Sequence, residues 1–261
     1  MTTHAELEAL QAIAGRMVSA LELSGSPVGV RLLSADTERP LQAKSLKHHR
    51  YCQALMQARH GEDVILDGQG IACPAAAAAF GFRPLPKELQ SGKGLVGFGI
   101  ISKAEVGQQM FEHMPRFEPG WLKYLHLYPL TRATDDPDLV IVEDEVEKLM
   151  WIALAYLHAT GGKRIVASTA ILQAACVDST IIPYQEQRLN LCYGCYGCRD
   201  ATDIARGEAI IGFPGSMLPP VAEHLDFLAQ KALPASRAKK AYAALQKQSS
   251  DAAGSYHEVA E

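Results

Sequence analysis

The sequence predicts an α/β fold, a mixed sheet with helices packed on its faces; a segregated α+β arrangement is the alternative. Three observations carry this. Helical and extended patterns alternate, most regularly in the second half of the chain. The 261 residues are 48% hydrophobic and 21% charged, a globular mix long enough to bury a real core. There is no internal repeat and no low-complexity segment.

Residues 5–23 put Leu7, Leu10, Ile13, Ala14, Met17 and Leu21 on one stripe, the signature of an amphipathic helix. Ser24 to Pro27 end it, and Val28–Leu33 follows as a strand. After a loop through Pro40, a helix is expected over Tyr51–Arg59, stopped by Gly61, with Val64–Leu66 extended beyond it. Cys73-Pro74 leads into an alanine run. Proline is tolerated in the first helical turn and alanine is the best helix former, so Cys73 stands at a helix start. Residues 83–95 read as a loop and 103–114 as a helix with Ser102 as N-cap.

Tyr124–Leu130 and Leu139–Val142 are expected strands, and Val146–His158 a helix ending at Gly161-Gly162. Arg164–Ala167 is an expected strand and 170–178 a helix. Ala209–Phe213 is a strand, with helices over Pro219–Lys231 and Arg237–Gln248. Residues 1–248 form one expected globular domain, with a weak sub-boundary near 115–135 where prolines cluster; 249–261 is an expected flexible tail.

The net charge is −4, with no long block of one sign, which argues against nucleic acid or an anionic membrane as partner. No stretch reaches the ~18 apolar residues of a membrane span, and the N-terminus is not a secretory signal. A cytoplasmic address is the expectation. There thiols stay reduced, so the six cysteines are candidates for metal binding or catalysis rather than disulfides.

Cys192-Tyr-Gly-Cys195-Tyr-Gly-Cys198-Arg199 is the most informative segment. Its C-x₂-C-x₂-C spacing is that of the bacterial ferredoxin run, and glycine before the second and third cysteines permits the backbone to wrap a cluster. The reading is a cysteine-rich metal-binding loop holding a [4Fe–4S] cluster through Cys192, Cys195 and Cys198, with Arg199 offsetting its charge and Tyr193 and Tyr196 shielding it. Zinc is the alternative, although four-cysteine zinc sites usually come as two separated pairs. The fourth ligand is uncertain. Cys73, at a helix start and followed by proline, is the first candidate and Cys52 the second. A buried core role is the rival reading for Cys73, and the favoured one for Cys52 and Cys176. His48-His49-Arg50, Ser91-Gly-Lys-Gly94 and the acidic residues of 135–145 read as a solvated helix start, a turn and ordinary loop charge.

The ordered blocks Pro27-Val-Gly-Val, Tyr51-Cys52-Gln-Ala, Ala72-Cys73-Pro-Ala, Pro137-Asp138-Leu-Val and Tyr196-Gly-Cys198-Arg199 resemble a prokaryotic family, domain of unknown function family 169. The resemblance runs from about Pro27 to Pro219. It implies a stand-alone cytosolic protein and a common site around Cys52, Cys73 and Cys198, and brings no reaction with it. The expected function is therefore a cytoplasmic iron–sulfur protein with redox or substrate-binding chemistry at the cluster, acting on a small molecule or an electron-transfer partner, with a homo-oligomer as a further expectation. An iron–sulfur-dependent oxidoreductase or lyase would be the enzyme class. The alternative is a non-enzymatic binding or regulatory protein stabilised by zinc or a cluster.

Overall fold

The computed structural model describes residues 3–34 and 36–247, so the tail expected over 249–261 lies outside the described residues. Its frame is one mixed seven-stranded sheet. In chain order the strands are β1 (Val28–Ser34), β2 (Lys44–Ser45), β3 (Val64–Asp67), β4 (Leu122–Pro129), β5 (Leu139–Glu145), β6 (Asn190–Cys192) and β7 (Glu208–Pro214). Across the sheet they lie in the order β2-β3-β4-β1-β5-β7-β6. Only the β2–β3 pair is parallel; the others are antiparallel.

Side chains alternate across a strand, and that period decides which helices pack where. On β5, Leu139 and Ile141 enter one core while Val140 and Val142 enter the other. The Val140 face is covered by α1 (His4–Leu21), α7 (Val146–Ala159) and α10 (Leu218–Gln230). The predicted stripe of α1 buries Leu10, Ala14, Met17 and Leu21, and Thr3 and Glu6 close a capping box at its start. The Leu139 face is covered by α2 (Tyr51–Arg59), α3 (Pro74–Ala79) and a π-helix, Ala174–Ile181. This second face carries the cysteines.

Several expectations are corrected. The 83–95 loop contains two short helices, α4 (Lys87–Gln90) and α5 (Lys93–Gly97). The next helix, α6 (Ala104–Glu112), is preceded by Lys103 rather than Ser102 at the N-cap, without a side-chain bond. Arg164–Ala167 is not a strand. Asn190 holds the following residue instead, accepting from the Ser168 N–H at 2.8 Å and donating to the Ser168 carbonyl at 2.7 Å, and the sheet edge is taken by β6, which the sequence did not suggest. The helix expected over 170–178 begins later, after Ile171 and Gln173 adopt left-handed backbone conformations, and is wound wide. There Thr180 Oγ1 donates to the carbonyl five residues back, on Ala175, at 2.7 Å. The π-helix is followed by α8 (Ile182–Glu186). The last expected helix, Arg237–Gln248, is present over its described part, 240–247, starting after Lys239 takes a left-handed conformation; an additional short helix, α11 (Ala232–Arg237), precedes it.

The π-helix lies tight on β7. A Cβ on Gly212 would stand 1.9 Å from the Ser179 carbonyl oxygen, so only glycine lets the two backbones approach this closely.

Candidate functional site

The C-x₂-C-x₂-C run is not a single loop. Cys192 ends β6, Gly194 turns the chain with φ +76°, and Cys195 is the N-cap of α9 (Tyr196–Ala201), which contains Cys198. This C-x-x-C step at a helix start brings two thiols together. Cys195 Sγ lies 3.3 Å from Cys198 Sγ and accepts from the Cys198 N–H at 3.4 Å.

α2 is stapled to α9. Arg50, its N-cap, donates through Nη1 to the Gly197 carbonyl at 3.0 Å, and Gln53 Nε2 donates to the Ala201 carbonyl at 3.2 Å. Cys52 is thereby held against Cys198, close enough for their thiols to hydrogen-bond. Cys73 is the N-cap of α3 with Pro74 in the first turn, as expected. Its loop is docked on the start of α2, where the Ala72 N–H donates to the His49 carbonyl at 2.8 Å. On the π-helix, Cys176 Sγ donates to the Gln173 carbonyl at 3.5 Å.

These elements enclose a cavity of about 240 Å³, and Cys52, Cys73, Cys176, Cys195 and Cys198 all line it. Its opposite wall is apolar, from Leu95, Phe98, Ile100 and Phe111, and among the described residues Arg50 is its one cationic lining side chain. Cys192 is not in the lining. It is fully buried, with Sγ 3.1 Å from Ser179 Oγ. Arg199 does not face the cavity either. Its guanidinium donates to the carbonyls of Tyr193, Ala205 and Glu208 and so ties down the loop around α9. Tyr193 and Tyr196 are exposed, with Tyr196 at the cavity wall. Among the described residues, no three His, Cys, Asp or Glu side chains are placed to hold one metal ion.

Cys176, Cys192, Cys195 and Cys198 are all held as neutral thiols. Hydrogen bonding from Cys195 pulls Cys198 down, but the Cys52 thiol and burial outweigh it and push Cys198 up to about 12. The hydrogen bond to Cys198 and burial push Cys195 far up, and burial, reinforced by the neighbouring Cys73, Cys195, Cys198 and Asp178, does so for Cys176. Cys192 rises to about 12, because burial exceeds the help of Ser179 and the Gly194 N–H. Thiolates here need a cationic centre beside them; such a centre would release the protons as it binds.

The core role favoured for Cys52 and Cys176 from sequence agrees with their burial in the hydrophobic core; what the sequence did not show is that both also line the cavity. Helical periodicity shows that a side chain turns inward. It does not tell a packed core from a walled cavity. The π-helix that carries Cys176 has no sequence pattern of its own, although such wide turns recur at functional sites.

Residues 16–224 match the family model described as Uncharacterised ArCR, domain of unknown function family 169. The chain belongs to this family. The matched span takes in all six cysteines and every strand, so the cavity lies within the family-169 domain. No curated protein and no solved structure matches the chain. Among the described residues of this family-169 protein, no helix is long and apolar enough to cross a membrane.

Proposed function

We propose that this family-169 protein is a cytoplasmic iron–sulfur protein whose [4Fe–4S] cluster occupies the cysteine cavity, with Cys52, Cys73, Cys195 and Cys198 as ligands. One observation carries the reading: five of the six cysteines, from four separate elements, line one small cavity. The donor set fits. It is all thiol, without histidine or carboxylate, the soft set that selects iron–sulfur clusters, zinc or copper(I). The four thiols come from α2, from the start of α3 and from α9. Arg50 supplies positive charge beside an anionic centre, the role the sequence suggested for Arg199.

When bound, such a cluster supplies one-electron transfer or, with an iron left open, a Lewis-acid position. The chain's own part is to keep the site dry with Leu95, Phe98 and Phe111 and to hold the thiols through the Arg50–Gly197 and Gln53–Ala201 staples. A second reading is favoured by the 3.3 Å contact between Cys195 and Cys198: a dithiol that cycles with a disulfide, without metal.

Anaerobic purification of the full chain separates these. The cluster reading expects a brown protein with roughly four irons and four sulfides per chain. A colourless protein with stoichiometric zinc would replace it by the structural-metal reading, and a metal-free protein by the dithiol reading.

A further inference from the structure

Residues 84–115, which carry α4, α5 and α6, leave the body of the protein after α3 and return to it before β4 through a narrow root. There the Phe117 N–H donates to the Ala79 carbonyl at 2.8 Å, and the Gly120 N–H donates to the Gly81 carbonyl at 3.1 Å. Gly81 and Gly120 have φ of +74° and +77°. Glycine takes either sign of φ about equally readily, so the chain can turn at both. Two side chains complete the root: Arg83 donates to the Ile71 carbonyl at 2.5 Å and Gln185 to the Arg116 carbonyl at 2.9 Å.

Beyond the root this cap is tied to itself. A Cβ on Gly92 would stand 1.9 Å from the Ala104 carbonyl oxygen, and one on Gly107 would stand 2.9 Å from the Gly92 Cα. The start of α5 and α6 therefore touch backbone to backbone and move as one piece. Among the described residues, no hydrogen bond or ion pair joins 84–115 to 3–78 or to 121–247. The joint is apolar instead, with Leu89, Leu95, Phe111 and Met114 buried in the core that also holds α2 and α3. It is incompletely filled. The cysteine cavity has Leu95, Phe98, Ile100 and Phe111 on its cap side. A second space, of about 570 Å³, has Val106, Met110 and Met114 on the cap side and Leu172 and Val177 on the body. Apolar contact is non-directional, and a surface that faces a void has forfeited part of its attraction.

A rigid piece on a narrow glycine root, resting on a half-filled apolar joint, has the anatomy of a hinged closure. We infer that residues 84–115 are a lid, which swings about the Gly81–Gly120 root and controls access to the cysteine cavity. Phe98 lines the cavity and is 66% exposed, so it stands at the edge that opens. Closed, the lid keeps the thiols dry; open, it brings Cys52 and Cys198 within reach of what the cavity takes in. The inference rests on the cavity and not on what fills it.

The test follows methyl relaxation dispersion in the metal-free full-length protein carrying ¹³C-methyl methionine. Met110 and Met114 should report one exchange process with a shared rate, on the microsecond-to-millisecond scale of lids, and a reporter on the cysteine side, Leu95→Met, should share it. Met17, buried in the opposite core, should stay flat. Leu95→Ala weakens the joint and should raise the open population about tenfold. N-ethylmaleimide should then reach Cys52 and Cys198 about tenfold faster, while Cys192, outside the cavity, keeps its rate. Leu225→Ala is a similar loss in the opposite core and should change neither readout. Flat Met110 and Met114 signals, unrelated rates for the three reporters, or maleimide rates that Leu95→Ala leaves alone or Leu225→Ala raises equally would overturn the lid. The wild-type dispersion decides even if Leu95→Ala folds poorly. Because no readout counts iron, failure of the lid and failure of the cluster reading remain distinguishable.

Discussion

Replacing Arg59 by methionine tests the frame that holds Cys52 in place. Arg59 is the last residue of α2 and is 5% exposed. Its Nη1 donates to Glu143 at 2.8 Å, and its Nη2 to Glu208 at 2.5 Å and to Ser24 Oγ at 2.6 Å. The bridge therefore joins α2 to β5 and to the start of β7. Arg59→Met keeps most of the apolar stem but leaves two buried carboxyl groups facing each other. Breaking one side of a buried pair costs about 3–5 kcal/mol, and the same range follows from about 1.5–3 kcal/mol for each charged hydrogen bond once partial relaxation is allowed.

The cost should depend on pH, with a sign fixed by Glu143. Burial raises Glu143 from 4.5 to about 7 although Arg59 pulls it down. A raised carboxyl contributes stability that is present below about pH 4.5 and lost as pH rises through about 7, on the order of 3 kcal/mol as an upper figure. In the wild type, Glu143→Gln should remove this slope and stabilise the protein at about pH 8, since an amide oxygen still accepts from Arg59. Arg59→Met should lose its full 3–5 kcal/mol at about pH 8 and distinctly less at about pH 5, where Glu143 is protonated. Urea unfolding followed by circular dichroism at both pH values reads this directly. A loss below about 1 kcal/mol, or one that does not change with pH, would refute the argument.

Two further outcomes are expected. Gly212→Ala must push the Ser179 backbone off β7, so its melting temperature should fall by several degrees, equivalent to about 1–3 kcal/mol or more of overpacking; unchanged stability would mean the π-helix does not sit on the sheet as described. Mild oxidation of the metal-free protein should join Cys195 and Cys198 first, removing about 2 Da and two titratable thiols, while buried Cys192 and Cys176 resist alkylation; peptide mapping that finds another pair joined first would contradict the 3.3 Å contact.

The sheet was largely legible because its strands carry period-two burial. Leu139 to Val142 shows four apolar residues in a row, which is what a strand buried on both faces requires. The helix start at Cys73 was legible from Pro74 and the alanines behind it. β6 was not. It has three residues, one of them Asn190, whose side chain is consumed in holding Ser168 and the Asp178 carbonyl, a tertiary role that no local pattern announces. For the same reason the even spacing of three cysteines did not translate into three equivalent side chains. Cys192 follows the alternation of a strand and turns toward Ser179, whereas Cys195 and Cys198 follow a helical turn and face the cavity. The 170–178 segment misled because a π-helix shares the composition of an α-helix and differs only in where its hydrogen bonds land.

Iron and acid-labile sulfide, counted per chain after parallel anaerobic purification of Cys52→Ser and Cys192→Ser, weigh the cavity against the linear motif. If the cavity cysteines hold the cluster, Cys52→Ser loses most of both elements and Cys192→Ser keeps the wild-type amount. Loss in Cys192→Ser with retention in Cys52→Ser, or a wild-type protein without iron, would contradict the account.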